Sequence, residues 1–402
     1  MKSERIVITG MGICSCIGKN IQEHLLSLLK GNTGLSTIEN IDTIYRNHIR
    51  VGEIKQTNAS LIESLHLPED NNFSRTSLLG ILALREALES IPMTKDNFSN
   101  IAMVMASSVG GMDMTEKYFY QYTTDVSSRK YIFSHNIGEI TGQIADFFGI
   151  KGLVTSLSTA CSSSANAIIT AADLIRTGRA KYVAVGGADA LSKFTINGFN
   201  ALMILSDEDC TPFDENRKGL NLGEAGAFLI LESEKEALYK GHEILAELSG
   251  WGNANDAYHQ TASSKEGEGA FLAMQEALKI SGLSPREIDY VNAHGTATIN
   301  NDLSESRALI RVFSQEKMPD FSSTKPFTGH TLAVASAVEA IFSILAIREG
   351  IVFPNLNFRT PMKEVIIRPQ TVLKKKNINH VLSNSFGFGG NCSSLIFSKY
   401  NY

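Results

Sequence analysis

The sequence predicts an α/β fold in which helices cover the sheets. Short apolar runs rich in β-branched and small residues alternate along the chain with segments of helical periodicity. The strand-like runs are almost continuously apolar, as expected for strands that are buried on both faces. The chain has 402 residues, 43% hydrophobic and 20% charged, which suits two domains or one large domain built from similar halves.

The predicted strands are bounded by glycine-rich or polar stretches, and the predicted helices end at glycine. Strands are expected at 6–10, 101–108, 152–157, 182–188, 228–233, 290–296 and 380–386, with a last one in CSSLIF (392–397). Helices are expected at 167–178 and 337–350, and Gly31, Gly178 and Gly350 are predicted C-caps.

A partial internal sequence repeat indicates two similar halves. A Ser/Thr-rich strand end leads into a small-residue helix that finishes I-R-T-G at Gly178, and a similar stretch finishes I-R-E-G at Gly350. The run GMGICSCIG after the first strand resembles a dinucleotide-binding loop. Its glycines do not follow the G-x-G-x-x-G spacing, so we interpret them as structural turn glycines.

Composition excludes several classes of protein. A net charge of −5 argues against nucleic-acid binding driven by phosphate contacts, and no apolar run is long enough to span a membrane. The first residues, MKSERIVITG, lack the hydrophobic core of a signal peptide, so a cytoplasmic location is expected. The cysteines are odd in number and irregularly spaced, which favours neither a zinc site nor a disulfide framework.

Cys161 stands apart from the other cysteines because it lies in STACSSSANA, among small residues. It falls where a predicted strand gives way to a helix. A helix N-terminus lowers the pKa of a thiol, favours thiolate, and offers free amides to a developing oxyanion. The alternative, a buried thiol in a tightly packed helix, fits the local sequence equally well.

Two histidines and a lysine strengthen the catalytic interpretation. His294 follows an apolar strand in VNAHGTAT, and His330 precedes a small-residue helix in STKPFTGHTLAVAS, with Lys325 five residues upstream. Either histidine alone would more often be structural. The stretch SNSFGFGGN (383–391) predicts a glycine turn that approaches a ligand, with a β-bulge as the alternative. Together these groups suit acyl transfer, and the extra His and Lys favour carbon–carbon bond formation over hydrolysis.

The chain resembles the β-ketoacyl-acyl-carrier-protein synthases, especially the synthase II type, and the ketosynthases of type II polyketide systems. The motifs that carry the resemblance span almost the whole chain: VITGMG, STACSSS, PFDENRKG, YVNAHGTAT, SSTKPFTGH and NSFGFGG. The resemblance implies a thiolase-like fold, in which two βαβαβαββ halves form a five-layer αβαβα body. We therefore expect an N-terminal half at 1–242 with the nucleophile and a C-terminal half at 243–402 with both histidines.

The resemblance also implies roles for individual residues. Cys161 is expected to accept the acyl group, while His294 and His330 assist malonyl decarboxylation and stabilise the enolate, supported by Lys325. The amides of Cys161 and Phe388 are expected to form the oxyanion hole, with the Phe388 ring as a gate. The remaining implied residues are Val109 and Phe199 in an acyl pocket, Glu339 in a structural role, and Arg129 and Lys130 in carrier docking.

The implied activity is the decarboxylative Claisen condensation of an acyl group on Cys161 with a malonyl-acyl carrier protein. The expected partners are the carrier protein and a second subunit, in a homodimer or a heterodimer with a related chain, and no metal or organic cofactor is expected. TLAVAS after His330 lacks two glycines usual in the family, and 66–77 is poor in basic residues. These departures favour a specialised polyene, pigment or polyketide pathway.

Two other functions are considered. A non-catalytic subunit resembling chain-length factors would usually lack the nucleophilic cysteine, which this chain has. A thiolase would need a second catalytic cysteine near the C-terminus, for which Cys392 is the candidate.

Overall fold

A long mixed β-sheet organises the protein. The computed structural model describes residues 4–92, 100–365 and 367–401. Ten strands form the sheet in the order β3-β2-β4-β5-β1-β6-β12-β11-β7-β8, and β9 and β10 form a separate pair. The strands are β1 Ile6–Ser15, β2 Ala102–Ala106, β3 Val154–Leu157, β4 Tyr182–Asp189, β5 Ala225–Ser233, β6 Ala246–Asn255, β7 Tyr290–Asn292, β8 Asp320–Ser322, β9 Ile351–Val352, β10 Lys374–Lys375, β11 His380–Phe386 and β12 Asn391–Ser398.

The sheet consists of two halves with the same internal order. Read from its outer edge, the N-terminal half runs β3-β2-β4-β5-β1 and the C-terminal half runs β8-β7-β11-β12-β6. Each half therefore places its first strand at the centre, and β1 pairs antiparallel with β6 from Ile6 to Ile8. This repeated strand order confirms the prediction of two similar halves, which rested on the partial sequence repeat that ends at Gly178 and Gly350.

Helices lie on both sides of each half-sheet. The helices of the described residues are α1 Ile21–Lys30, α2 Asn58–Ser64, α3 Arg75–Glu89, α4 Met112–Tyr118, α5 Arg129–Ile132, α6 Ile137–Phe148, α7 Ser163–Arg176, α8 Lys193–Ala201, α9 Glu234–Lys240, α10 Glu268–Ser281, α11 Ile299–Phe313, α12 Lys325–Thr328 and α13 Ala335–Glu349. None of them is long and apolar enough to cross a membrane.

Alternate strand residues face different cores, and this alternation produces five layers. In β2, Val104 packs into the central core with α7 and α13, whereas Met105 packs against α3 on the outside. In β11, Val381 faces the central core and Leu382 faces α10. The order of layers is thus α3, half-sheet, α7 with α13, half-sheet and α10, as the predicted thiolase-like fold requires.

Helix α13 is central because its sequence has no polar face. Its residues from Ala335 to Ile347 are all buried, and most of them are apolar or small. A helix that is apolar all round needs partners on every side, which the middle layer provides. Glu339 is the one charged residue within this buried stretch, and its partners belong to the candidate site.

The glycines of GMGICSCIG are structural, but Gly10 and Gly12 lie within strand β1 and not in a turn, contrary to the prediction. A Cβ atom on Gly12 would lie 2.1 Å from the carbonyl oxygen of Ala83 in α3. In the second half, a Cβ on Gly252 of β6 would lie 2.1 Å from the carbonyl oxygen of Ala273 in α10. Both glycines allow an outer helix to touch the strand backbone.

Candidate active site

Cys161 lies in the tight connection between β3 and α7. The preceding residue, Ala160, has φ 52°, a left-handed conformation that is uncommon for a residue with a Cβ. This turn places Cys161 just before the first residue of the helix, Ser163. The thiol side chain is buried, with 7% of the residue exposed. The predicted strand-to-helix position is therefore correct.

A cavity of about 250 Å³ brings the predicted groups of both halves together. Cys161 lines it from the N-terminal half, and His294 and His330 line it from the C-terminal half. Its wall also contains Phe199 and Phe388. Lys325 and Glu339 are not among the lining residues and contact the site from behind His294.

His294 follows β7 at the carboxyl end of the strand. The carboxylate of Glu305 in α11 accepts hydrogen bonds from the backbone N–H groups of His294 (2.9 Å) and Gly295 (2.8 Å), which fixes this turn. The ammonium of Lys325 lies 3.3 Å from Nδ1 of His294. Because an ammonium can only donate, Nδ1 is the acceptor and the ring proton is on Nε2.

Lys325 is buried and is stabilised by acceptors on several sides. Its Nζ donates to the backbone oxygen of His294 at 2.6 Å and forms an ion pair with the carboxylate of Glu339. Both side chains of the ion pair are 3% exposed. With Nδ1 of His294 as a further acceptor, each of the three ammonium protons has a partner, as burial of a charge requires.

His330 has the same tautomer as His294. The backbone N–H of Leu332 donates to Nδ1 of His330 at 3.1 Å, so the ring proton is on Nε2. Leu332 reaches this position with φ 55°. The two imidazoles meet edge to face, with centroids 5.4 Å apart and an interplanar angle of 88°.

Both imidazoles are neutral at neutral pH. Burial, and then the positive charge of Lys325, hold the pKa of His294 and of His330 well below the usual value of a histidine. Two neutral rings that each carry a proton on Nε2 can donate hydrogen bonds into the cavity without taking up a proton. Such donors stabilise negative charge on a substrate oxygen.

The thiol of Cys161 does not have the lowered pKa that its helix position predicts. Burial raises its pKa to about 11, although the charge of Lys325 and the backbone N–H of Phe388 act in the opposite direction. Desolvation of the thiolate therefore outweighs the stabilising groups. The prediction of a thiolate-favouring environment is wrong.

The glycine-rich part of SNSFGFGGN, residues 387–390, is a turn between β11 and β12, and not a β-bulge. Gly389 and Gly390 have φ of 82° and 83°, which glycine adopts without strain. The backbone N–H of Phe388 favours the thiolate form of Cys161 and so opposes the rise of its pKa, which agrees with a place near the oxyanion hole. The ring of Phe388 stacks on Phe199, with centroids 6.0 Å apart, and covers one side of the cavity.

The remaining predicted residues lie at different distances from the chemistry. Val109 packs in an apolar cluster with Phe199 but does not line the cavity itself. Arg129 donates from Nε to the backbone oxygen of Tyr122. Lys130 forms an ion pair at 2.6 Å with Asp70, in the segment 66–77 that is poor in basic residues.

Sequence reasoning missed two buried carboxylates that shape the site. Glu305, described above, has its pKa raised to about 7 by burial. Asp189, at the end of β4, accepts from the backbone N–H of Val109 (3.3 Å) and of Ala333 (2.8 Å). Through these two hydrogen bonds, Asp189 connects the segment that contains Val109 to the segment that follows His330. No local motif signals these roles, since their partners are far away in sequence.

The altered segment TLAVAS keeps the His330 region closely packed. Ala333 and Ser336 occupy the two positions where glycine is usual. The hydroxyl of Ser336 donates to the backbone oxygen of Cys161 at 3.3 Å, and the N–H of Ala337 donates to Ser164 at 3.0 Å. The beginning of α13 is therefore bonded directly to the beginning of α7.

A thiolase-like fold with a buried thiol facing two neutral imidazoles defines an acyl-transferring enzyme of the condensing type. Residues 3–237 match the family model described as Beta-ketoacyl synthase, N-terminal domain, and residues 245–359 match Beta-ketoacyl synthase, C-terminal domain. The chain belongs to the β-ketoacyl synthase family.

Full-length relatives agree with this membership. The 3-oxoacyl-[acyl-carrier-protein] synthase 2 of Staphylococcus aureus (strain COL) is 35% identical and that of Vibrio harveyi 31% identical, each over 99% of both chains. The solved ishigamide ketosynthase/chain length factor is similar with a TM-score of 0.92 and 28% identity, over 99% of this chain and 100% of that one. The ketosynthase ApeO in complex with its chain length factor ApeC from Xenorhabdus doucetiae gives a TM-score of 0.83 and 30% identity, over 99% and 98% of the chains.

Proposed function

We propose that this chain catalyses the decarboxylative Claisen condensation of an acyl group on Cys161 with a malonyl-acyl carrier protein. One observation carries the proposal: Cys161, His294 and His330 line the same cavity, and both rings have their proton on Nε2. A nucleophile and two neutral donors in one cavity suit a reaction that forms a thioester and then an enolate.

In the first half-reaction, Sγ of Cys161 loses its proton and attacks the thioester carbonyl of an acyl carrier protein. The oxyanion of the tetrahedral intermediate accepts hydrogen bonds from the backbone N–H groups of Cys161 and Phe388. Collapse of the intermediate breaks the bond to the carrier sulfur, which leaves as a thiolate and takes up a proton in place of the one that the Cys161 thiol released. The acyl group stays on Cys161.

In the second half-reaction, a malonyl carrier loses carbon dioxide, and the electron pair of the broken C–C bond forms an enolate. The enolate oxygen accepts hydrogen bonds from Nε2 of His294 and of His330. The carbanion attacks the acyl carbonyl on Cys161, a new C–C bond forms, and the Cys161 thiolate leaves. This cycle needs no metal or organic cofactor, because two hydrogen-bond donors stabilise each negative charge.

Several residues support these steps without meeting the reacting atoms. Lys325 holds His294 neutral and in the Nε2–H tautomer, and Glu339 balances the buried ammonium. Phe199, which lines the cavity, and Val109, which packs in the same apolar cluster outside the cavity wall, are proposed to accommodate the acyl chain, with Phe388 as the gate. Arg129 and Lys130 are proposed to contact the carrier protein. We propose that the N-terminal half, residues 1–242, provides the nucleophile and that the C-terminal half, residues 243–402, provides both histidines.

The alternative is a non-catalytic subunit that resembles a chain-length factor. Solved neighbours with such a subunit in their titles make this alternative reasonable on the fold alone. The complete set of Cys161, His294 and His330 in one cavity favours the catalytic subunit. A homodimer or a heterodimer with a related chain, a cytoplasmic location, and a specialised polyene, pigment or polyketide pathway are part of the proposal.

The experiment is the intact mass of the purified chain after incubation with a panel of acyl-carrier thioesters. We expect the wild-type mass to rise by one acyl group, and Cys161→Ala to show no increase. Cys210→Ala is the matched control, because Cys210 is also buried but does not line the cavity. Addition of malonyl carrier should then release a product two carbons longer.

Each outcome discriminates between the functions. No acylation of the wild type, together with activity only when a related subunit supplies its own cysteine, would establish the chain-length-factor function. Cys392 is buried and lines the same cavity, so Cys392→Ala tests the thiolase alternative. Loss of condensation with coenzyme A substrates in Cys392→Ala would favour a thiolase.

A further inference from the structure

A cluster of side-chain amides lies between the nucleophile turn and the glycine turn. The side-chain oxygen of Asn391 accepts hydrogen bonds from Ser162 Oγ at 2.7 Å, Asn166 Nδ2 at 2.8 Å and Asn253 Nδ2 at 3.1 Å. Ser162 is the residue directly after Cys161, and Asn166 lies in the first turns of α7. The side chain of Asn391 is therefore bonded to the start of the helix that presents the nucleophile.

The backbone of Asn391 is bonded to the glycine turn. Its carbonyl oxygen accepts the N–H of Gly387 at 2.7 Å, and Gly387 directly precedes Phe388. Gly387 itself lies close to the nucleophile turn, since a Cβ on it would be 2.7 Å from the carbonyl oxygen of Thr159. Asn391 thus contacts the neighbours of both residues whose N–H groups surround the Cys161 sulfur.

We propose that Asn391 is a positioning residue that fixes the distance between the N–H groups of Cys161 and Phe388. This inference rests on the proposed function, in which these two groups hold the oxyanion. An oxyanion hole works only when both donors are about 2.7–3.1 Å from the oxygen, so a small displacement of either one weakens it. Asn391 limits such a displacement because its side chain is bonded to Ser162, next to Cys161, and its carbonyl oxygen to Gly387, next to Phe388.

The other end of the glycine turn is held independently. The N–H of Gly389 donates to the backbone oxygen of Gln260 at 2.7 Å, and the N–H of Asp256 donates to the oxygen of Gly390 at 2.7 Å. These bonds, like that between Gly387 and the carbonyl of Asn391, are made by backbone atoms, which a substitution of the Asn391 side chain does not remove. A variant at Asn391 should therefore release Ser162 and the start of α7 from the glycine turn and leave the turn itself in place.

The histidine donors do not depend on this cluster. His294 is fixed by Glu305 and Lys325, and His330 by Leu332, and none of these contacts involves Asn391. The two chemical steps therefore respond differently if Asn391 positions the oxyanion hole. Acylation of Cys161 uses the two backbone N–H groups, whereas decarboxylation of malonyl carrier uses the two imidazoles.

The experiment compares both steps in Asn391→Leu, which keeps the size of the side chain and removes its acceptor. We expect the single-turnover rate of Cys161 acylation to fall about tenfold to hundredfold, the scale of a small misplacement of catalytic groups. The rate of malonyl-carrier decarboxylation should stay within about twofold of wild type, since the effect is confined to one set of donors. Asn379→Leu is the control, at an exposed asparagine outside the cluster.

Two further variants keep the inference testable if Asn391→Leu folds poorly. Asn391→Asp keeps the acceptor for Ser162 and should retain most of the acylation rate. Ser162→Ala removes the donor of the same bond, and by itself it should lower the acylation rate while malonyl-carrier decarboxylation stays within about twofold of wild type. An equal fall of both rates, or unchanged acylation, in Asn391→Leu or Ser162→Ala would overturn the inference. A wild-type chain that is never acylated would instead refute the proposed function.

Discussion

At the scale of the residue, the thiol of Cys161 is held mostly protonated. With a pKa of about 11, only about one molecule in ten thousand carries the thiolate at pH 7. The helix N-terminus, Lys325 and the N–H of Phe388 stabilise the thiolate. Burial destabilises the thiolate by a larger free energy, because it removes the charge from water. Reactivity therefore depends on how well the site stabilises the charge once it moves from sulfur to the substrate oxygen.

The first residue-scale prediction concerns pH. Because the thiolate is the reactive form, the rate of Cys161 alkylation by iodoacetamide should rise about tenfold per pH unit from pH 7 to pH 10. The raised pKa gives the sign: each unit of pH below about 11 lowers the thiolate fraction tenfold. The measurement is the pH dependence of the alkylation rate, followed by intact mass and peptide mapping to Cys161.

A plateau of the rate between pH 7 and 9 would contradict this expectation, because it would mean that the thiolate already predominates. Cys161→Ala is the control for labelling at other cysteines. Cys14, Cys16, Cys210 and Cys392 are also free, and burial raises the pKa of each.

The sequence predicted the proposed reacting groups, which line one cavity, but not the residues that hold them. Cys161, His294 and His330 can be recognised in the sequence because their neighbours are small residues, whereas the neighbours of a buried structural residue are usually large and apolar. Glu305, Asp189 and Asn391 act on partners that are distant in sequence or through backbone atoms, and such contacts leave no local pattern. The pKa of Cys161 was mispredicted because burial depends on the whole fold, whereas the helix position is readable from a short stretch.

At the scale of the element, glycines in the strands set the distance between each half-sheet and its outer helix. Gly12 in β1 faces α3, and Gly252 in β6 faces α10, at equivalent places in the two halves. The direct contact of helix backbone with strand backbone leaves no space for a side chain. These glycines also explain why β6 is missing from the strands predicted by apolar pattern, since Gly250 and Gly252 interrupt it.

The element-scale prediction is that Gly252→Ala destabilises the protein by about 1–3 kcal/mol, the usual cost of overpacking. The added methyl would lie 2.1 Å from the carbonyl oxygen of Ala273, so the helix must move away. The matched control is Gly142→Ala in α6, where a Cβ would have no heavy atom within 4 Å. That change should stabilise by about 0.5–1 kcal/mol, because alanine favours a helix over glycine.

The stability of both variants is measured as the free energy of unfolding, determined by urea denaturation. Equal stabilities of Gly252→Ala and wild type would show that α10 can shift at no cost, and would contradict the role given to this glycine. The other elements were easier to predict. β2, β4 and β5 consist mainly of apolar and small residues, and α13 is capped by Gly350 in the left-handed conformation, as predicted.

At the scale of the whole molecule, the two edges of the long sheet differ. The β8 edge is covered, since the N–H of Gln370 donates to the backbone oxygen of Phe321. The β3 edge has a neighbouring strand only on its β2 side in the described part of the chain. Leu153 and Val154 at this edge are 40% and 37% exposed. An open apolar edge strand is a site for pairing with another chain.

The whole-molecule prediction is that a second subunit pairs along β3. Leu153→Lys should convert a dimer into a monomer, because it places a charge directly beside Val154, the first residue of the paired strand. Leu373→Lys is the matched control, since Leu373 is 38% exposed and is not adjacent to β3. Light scattering after size-exclusion chromatography measures the mass in each case. An unchanged dimer in Leu153→Lys, or a monomeric wild type, would contradict the prediction.

The repeated strand order places two of the proposed reacting groups at equivalent positions. Cys161 follows β3 at the start of α7, and His330 follows β8 shortly before α13, so each residue occupies the corresponding place in its own half. In the proposed mechanism, one of these places holds the nucleophile and the other holds a proton donor. Neither half alone holds the complete set of proposed reacting groups, and joining the two halves in one chain secures their equal supply.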